Sequence, residues 1–396
     1  MSNTLHAIKQ AAIDWRLVMM TVVLAAIAVT FNLLSDGIFL SPENLYNIAQ
    51  QTAVVGIVST VVVLVIVARH IDLSVGSVMG FVGALIATLQ YTAGWSWPAA
   101  SLAGLAAGIA VCTYQGALTA TLGVPSFVVT LGGLMSFRGA AFMVADGKTQ
   151  PVSDPFFQSL GGGYEGGVGV QTTWILAALL SAALLVGLFN KRRAKNIYNI
   201  PNNPMWLDAL MGITPIALLL AFAATMNAYQ IPNKDAPQGV PIPVLIWAAV
   251  AFSLSFLVHR TRFGRYIFAM GGNPEAAALV GIPVRRITML LFALMGALVT
   301  IAAIVSIARL NAGTNSLGTS MELYVIAAAV IGGTALSGGS GSIMGSVLGA
   351  LIMQSIDSGM LLLDVSIGMR YVIIGQVLIA AVVFDVLYRK FTGDTA

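Results

Sequence analysis

Arg69, His70, Asp72, Ser74 and Ser77 crowd into one short stretch between two uncharged apolar runs. A carboxylate among hydroxyls at that spacing can hold a polar solute, or it can satisfy the backbone N–H groups at a helix start. Asp72 followed by Leu73, Ser74 and Val75 predicts a helix N-cap, with Gly76 allowing close helix contact beyond it. His70 by itself makes no metal site, because a metal needs further ligands and none stands at ligand spacing. Arg138, Arg309, Gln354, Asp357 and Gln376 are further polar positions inside or at the ends of apolar runs. Any of them could line a solute path, and Arg138 and Arg309 could equally snorkel from helix ends. No Ser, His and Asp grouping and no H-E-x-x-H is present, which disfavours an enzyme and leaves no catalytic residue to name. Paired carboxylates that could relay protons do not stand out either, which counts against a proton-coupled carrier.

The segment 259–286 suggests a different task. Within it Gly271-Gly272-Asn273-Pro274-Glu275-Ala276-Ala277-Ala278-Leu279 is followed by Gly281-Ile282-Pro283. Asn273 caps a short helix, Pro274 suits its first position, and Glu275 complements the positive end of the dipole. Gly281 and Pro283 stop it after about two turns. Ala276 and Ala277 give this helix a small face outside the bilayer, shaped to dock in a partner's groove; the alternative is a merely ordered loop. The Gly-rich stretch 332–341 lacks G-x-x-x-x-G-K-[ST], and no Lys or Arg stands near it in sequence, so it is read as a helix break or close crossing.

The elements that must position these residues follow from composition. Only 9% of the 396 residues are charged while 58% are hydrophobic, whereas a soluble domain is about 25% charged. A run of about 20 apolar residues at 1.5 Å rise spans the hydrocarbon of a bilayer. Twelve such candidates appear, at 17–34, 52–68, 75–89, 99–122, 126–145, 173–189, 209–226, 242–258, 287–308, 323–336, 342–363 and 369–387, with ten possible if short ones fuse. The third, tenth and eleventh are short, Gly-rich or nearly fused to neighbours. The expectation is an all-α polytopic membrane protein forming a single permease-type domain over 1–396. Lys191, Arg192, Arg193, Lys195, Arg260, Arg262, Arg265, Arg285, Arg286, Arg389 and Lys390 fall on one face of that count, with Lys9 and Arg16. Lys148 and Lys234 are the basic residues of the other face. Both termini are therefore expected in the cytoplasm. The net charge of +4 orients a membrane protein rather than pointing to nucleic acid. Cys112, the sole cysteine, rules out an intrachain disulfide.

A weak internal echo links Gly76-Ser77-Val78-Met79-Gly80 with Gly341-Ser342-Ile343-Met344-Gly345. It reads either as a structural repeat with interrupted helices or as chance similarity among helix-packing small residues.

Ile71-Asp72-Leu73-Ser74-Val75-Gly76-Ser77, the 271–281 loop and Gly332-Gly333-Thr334 occur in the order in which permease subunits of bacterial ABC importers for monosaccharides carry them. The chain resembles the ribose, arabinose and xylose group over nearly its whole length. Val124-Pro125-Ser126-Phe127, Phe137-Arg138-Gly139, Asp357-Ser358-Gly359-Met360 and Leu363-Asp364-Val365 make it most similar to D-xylose permeases. The spans at 173–189 and 209–226 look like the two that xylose-type members add. Two positions depart from the group's pattern: Tyr324 stands where Asp is usual, and Gln115 where Asn is usual. The resemblance implies an inner-membrane homodimer with a cytoplasmic ATPase and a periplasmic sugar-binding protein. It implies that ATP is used by the ATPase and that no cofactor is bound by this chain, with the loop around Glu275 transmitting movement. An ion-coupled sugar carrier, and an ABC permease for another sugar or an amino acid, remain the alternatives.

Overall fold

The structure, a computed structural model, describes residues 15–163, 166–198, 204–231 and 236–392. All twelve expected segments are helical. The first five are α1 (Trp15–Leu34), α2 (Pro42–Val67), α3 (Val75–Tyr91), α4 (Trp97–Leu122) and α5 (Ser126–Val144). A short strand β1 (Gln150–Pro151) and a one-turn helix α6 (Pro155–Ser159) precede α7 (Val170–Ile197), α8 (Met205–Ala228) and α9 (Ile242–Arg260). Then come α10 (Arg262–Gly272), α11 (Pro274–Leu279), α12 (Val284–Leu310), strand β2 (Ala312–Gly313), α13 (Met321–Ile331), α14 (Ile343–Leu362) and α15 (Ile367–Thr392). Among the described residues nine helices are long and apolar enough to cross a membrane, and three apolar helices are shorter. This is an all-α polytopic membrane protein.

The short helices differ partly from expectation. The third and tenth segments are indeed short, at 17 and 11 residues, but the eleventh is a full 20-residue helix. At about 1.5 Å per residue, α13 covers only about half of a 30 Å hydrocarbon layer. The rest of that crossing is the irregular segment 314–320, which packs down the side of α3 from Leu317 against Gly83 and Gly80 to Gly318 against Gly76. Irregular backbone at membrane depth persists only where protein satisfies it. Here Arg138 Nη1 donates to Asn315 O and Leu317 O, both at 3.0 Å. Arg138 therefore braces this half-buried turn from α5.

α2 forms the centre of the bundle, with 94% of its apolar stretch buried, against 6% for α1 and α15. Around it stand α9, α12, α13 and α14. Lipid offers no hydrophobic drive between helices, so close approach depends on small residues. Gly108 of α4 and Gly296 of α12 meet backbone to backbone, and so do Gly345 of α14 and Gly332 after α13. Both echo motifs thus open helices, α3 and α14, that press glycines onto the two ends of α13. α7 and α8 pair mainly with each other, and α8 rests on α2; the two form a peripheral hairpin, tied by Arg192 to Asp208 at 3.6 Å.

Contacts at the bundle ends sort the connections into two faces. Arg16 joins Gly333 O at 3.2 Å and Asp385 at 2.9 Å, and Arg69 joins Gly271 O and Gly272 O at 2.7 and 2.6 Å. At the other end Tyr46 and Gln50 donate to Gly162 O, and β1 pairs antiparallel with β2. The start of α1, the α9–α12 connection and the end of α15 share a face, as the Lys and Arg count requires for two cytoplasmic ends. Lys9 and Lys234 lie outside the described residues.

Candidate functional site

Two clusters of buried and half-buried polar residues lie on opposite sides of α13. In the first, Asp72 is 3% exposed and its Oδ1 accepts from Ser74 N and Ser74 Oγ, both at 2.7 Å. Helix α3 starts at Val75 and its cap position is Ser74, so Asp72 is not the N-cap the sequence suggested. The carboxylate instead closes an Asx-type turn one step earlier, because the chain must still turn inward before the helix can begin. Ser74 Oγ pairs with Gln115 of α4 at 3.0–3.1 Å. Glu322, in the first turn of α13, reaches over Gly76, and the two carboxylates of Asp72 and Glu322 are near enough to repel. Asp72 Oδ2, Ser77 Oγ and Glu322 Oε2 are buried without a partner among the described residues. Gln115 and Gly76 therefore belong to this site, Ser77 follows Gly76 on α3 with its hydroxyl buried, and Arg138 lies nearby, close to Gly80.

The second cluster holds Tyr324, Gln354 and Asp357. Tyr324 OH donates to Asp357 Oδ1 at 2.9 Å, and Arg370 Nη2 approaches the same oxygen at 2.7 Å. Gln354 Nε2 donates to Gln51 Oε1 at 2.7 Å and, less closely, to Asp357 Oδ2 at 3.5 Å. Tyr324 and Glu322, two positions apart on α13, point to different clusters because two residues turn a helix by about 200°. The sequence reading missed Glu322, Gln51 and Arg370; Gln51 meets Gln354 across 303 positions, whereas Arg370 lies 13 positions from Asp357. It also placed no basic residue by the Gly-rich stretch, yet Arg16 reaches Gly333 and Arg69 packs against Gly338.

A third feature was not expected. At the extracytoplasmic end a cleft of about 610 Å³ is lined by Glu43, Tyr46, Gln50, Gln158, Arg309 and Asn311, among others. Tyr46 and Tyr229 stack there with ring centroids 4.2 Å apart. Arg309 lines this cleft, and its Nε has no partner among the described residues.

At the cytoplasmic end the 259–286 segment contains more order than expected. α10 is an added amphipathic helix, burying Gly264, Ile267 and Met270 at helical spacing. α11 starts as anticipated: Asn273 Oδ1 accepts from Ala276 N at 2.9 Å, Pro274 occupies the first turn, and Gly281 at φ +85° ends the turn that follows. Its outward face is a correction. Ala277 is 4% exposed and belongs to the protein's own core, whereas Leu279 and Val280 are 89% and 79% exposed. Glu275 and Ala276 also face outward. Among the described residues no group of His, Cys, Asp and Glu could hold a metal.

Comparison with known proteins gives this arrangement its context. Residues 44–382 match the family described as branched-chain amino acid transport system / permease component. The chain is 35% identical over 376 residues to the xylose transport system permease protein of Escherichia coli (strain K12), covering 94% of this chain and 92% of that one. It is 31% identical to the ribose import permease protein of the same strain, covering 88% and 87%. It is 29% identical to the L-arabinose ABC transporter permease protein of Azospirillum brasilense, covering 95% and 90%. No solved structure matches the chain. The match over most of the length, on a bundle of apolar helices, settles the family: the chain is a multi-pass membrane protein that belongs to the branched-chain amino acid transport system / permease component family.

Proposed function

We propose that this chain is the permease subunit of an ATP-binding-cassette importer for a monosaccharide, and that the sugar is D-xylose. It works in the bacterial inner membrane as a single permease domain, paired with a second copy. A periplasmic binding protein delivers sugar to the extracytoplasmic cleft around Gln50, Gln158 and Arg309, whose amides and guanidinium suit hydroxyl groups. A cytoplasmic ATPase meets α11, within the coupling segment 259–286, and supplies the driving force; Asn273, Pro274 and Gly281 shape that element. The observation that carries the reading is α11 itself. A helix with Leu279 and Val280 almost fully exposed at the cytoplasmic end has no use within this chain and fits a partner's groove. Likeness to the xylose permease over 94% of the chain supports the sugar, and so does the peripheral α7–α8 hairpin.

The test is uptake of labelled D-xylose by cells carrying the permease with its ATPase and binding protein, against unlabelled competitors. Excess D-xylose should abolish uptake, while D-ribose and L-arabinose should compete weakly. Equal competition by ribose would remove the assignment to xylose. One observation favours a second reading, an ion-coupled carrier: buried Asp72 and half-buried Glu322 are carboxylates close enough to feel each other's charge, each with an unpartnered oxygen. Asp357, by contrast, is neutralised by Arg370 and offers no free carboxylate.

A further inference from the structure

Residues 68–74, between α2 and α3, form a strap that touches the cytoplasmic docking element at one end and the buried polar cluster at the other. At the outer end Arg69 holds the left-handed conformation, φ +65°, which L side chains rarely adopt. That turn aims its guanidinium at the two carbonyls ending α10, Gly271 O at 2.7 Å and Gly272 O at 2.6 Å. Asn273, the cap of α11, is the next residue. The contact is tight: a Cβ on Gly271 would run into Val67 O, and one on Gly338 would run into the Arg69 side chain. Gly339 N donates to Val67 O at 2.9 Å, so the Gly-rich stretch after α13 closes over the same joint.

The strap is fastened inside as well. Ile71 N donates to Ser126 Oγ and Leu73 N to Thr130 Oγ1, both at 3.1 Å, along the first turns of α5. Asp72 and Ser74 then enter the cluster with Gln115. A cavity of about 190 Å³, lined by His70, Thr119, Met270, Pro274 and Thr288 among others, lies beneath the strap and leaves it room to shift. Charge-assisted hydrogen bonds at one end and backbone-to-hydroxyl ones at the other make a stiff link across this space.

We propose that this strap is the mechanical connection between α11 and the Asp72–Ser74–Gln115 cluster, with Arg69 as the positioning residue that couples them. The proposal rests on the reading that α11 meets the ATPase, and the experiment separates the two. Three versions of the complete complex are prepared in vesicles: the parent, Arg69→Met and Leu279→Asp. Co-purification of the ATPase and the D-xylose moved per ATP hydrolysed are measured for each. In a second measurement Ser77→Cys is placed in a Cys112→Ala background, and its thiol-labelling rate is compared with and without a non-hydrolysable ATP analogue, which needs no sugar. Leu279→Asp should lose the ATPase; if it keeps it, the docking reading fails. Arg69→Met should keep the ATPase, yet move about tenfold less sugar per ATP, the scale of a lost charged hydrogen bond. It should also abolish the nucleotide-dependent change at Ser77→Cys, and Arg69→Lys should restore part of both. If Arg69→Met does not reach the membrane, Arg69→Lys carries the test with an intermediate ratio. Parental coupling and a parental labelling change in the Arg69 variants, alongside loss of the ATPase from Leu279→Asp, overturn the strap.

Discussion

Asp357 sits between two donors of different weight, and the difference is measurable. Arg370 supplies a charge at 2.7 Å and Tyr324 a neutral hydroxyl at 2.9 Å. The pair is half-buried, with side chains 21% and 14% exposed, so Arg370→Met, which strands Asp357, should cost about 2 kcal/mol, while Tyr324→Phe should cost about 1 kcal/mol. Thermal unfolding in detergent would report both, and the double variant should be non-additive because the donors share one oxygen. At Asp72 only Oδ1 is engaged. Asp72→Asn keeps that acceptor and should unfold near the parent, whereas Asp72→Ala opens the turn and should lose about 1–3 kcal/mol. Sequence alone marked Asp72, Ser74 and Asp357 as polar residues in apolar surroundings. It could not choose their partners: Gln115 lies 41 residues from Ser74, and Gln354 meets Gln51 across 303.

At the scale of elements, helix starts were readable and buried faces less so. Asn273-Pro274-Glu275 fixes the start of α11 by local chemistry, and the structure follows it. Which side of α11 faces the protein depends on α10, whose apolar spacing at Phe263, Ile267 and Met270 marks a helix, whereas the expectation for 259–286 held only the short helix after Asn273. The cost falls on Ala277. The sequence predicts Ala277 on the docking face, but at 4% exposure it packs into the protein's own core. Ala277→Arg should overpack the protein's own core and lower its membrane level, whereas Leu279→Asp should leave that level unchanged and release the ATPase. Immunoblots of membranes and co-purification would separate the two. The interrupted crossing at α13 was foreshadowed by Gly332-Gly333-Thr334. The irregular half before it was not, because its support comes from Arg138, about 180 residues upstream.

For the whole molecule, the charge pattern and the contact pattern agree. Apolar runs gave the helix count, and Lys and Arg gave the orientation; the structure then puts Arg16, Arg69 and Asp385 at one end without reference to a membrane. A cysteine replacing Arg193 should be shielded from an impermeant reagent in intact cells, and one replacing the exposed Lys148 should react. Reaction at position 193 would invert the orientation. The peripheral position of α7 and α8 explains why a bundle can carry this hairpin without disturbing its centre, where α2, α12 and α14 bury most of their own apolar stretches. That centre places the Asp72 and Asp357 clusters on either side of a half-length helix, between a polar cleft outside and an exposed apolar helix inside. The account stands on what drives sugar through this path. The most direct measurement is D-xylose accumulation in proteoliposomes containing the permease, its ATPase and its binding protein, with nucleotide and ion gradients set independently. Accumulation should require ATP and all three proteins and ignore the gradients; accumulation by the permease alone, driven by a proton or sodium gradient without ATP, would contradict it.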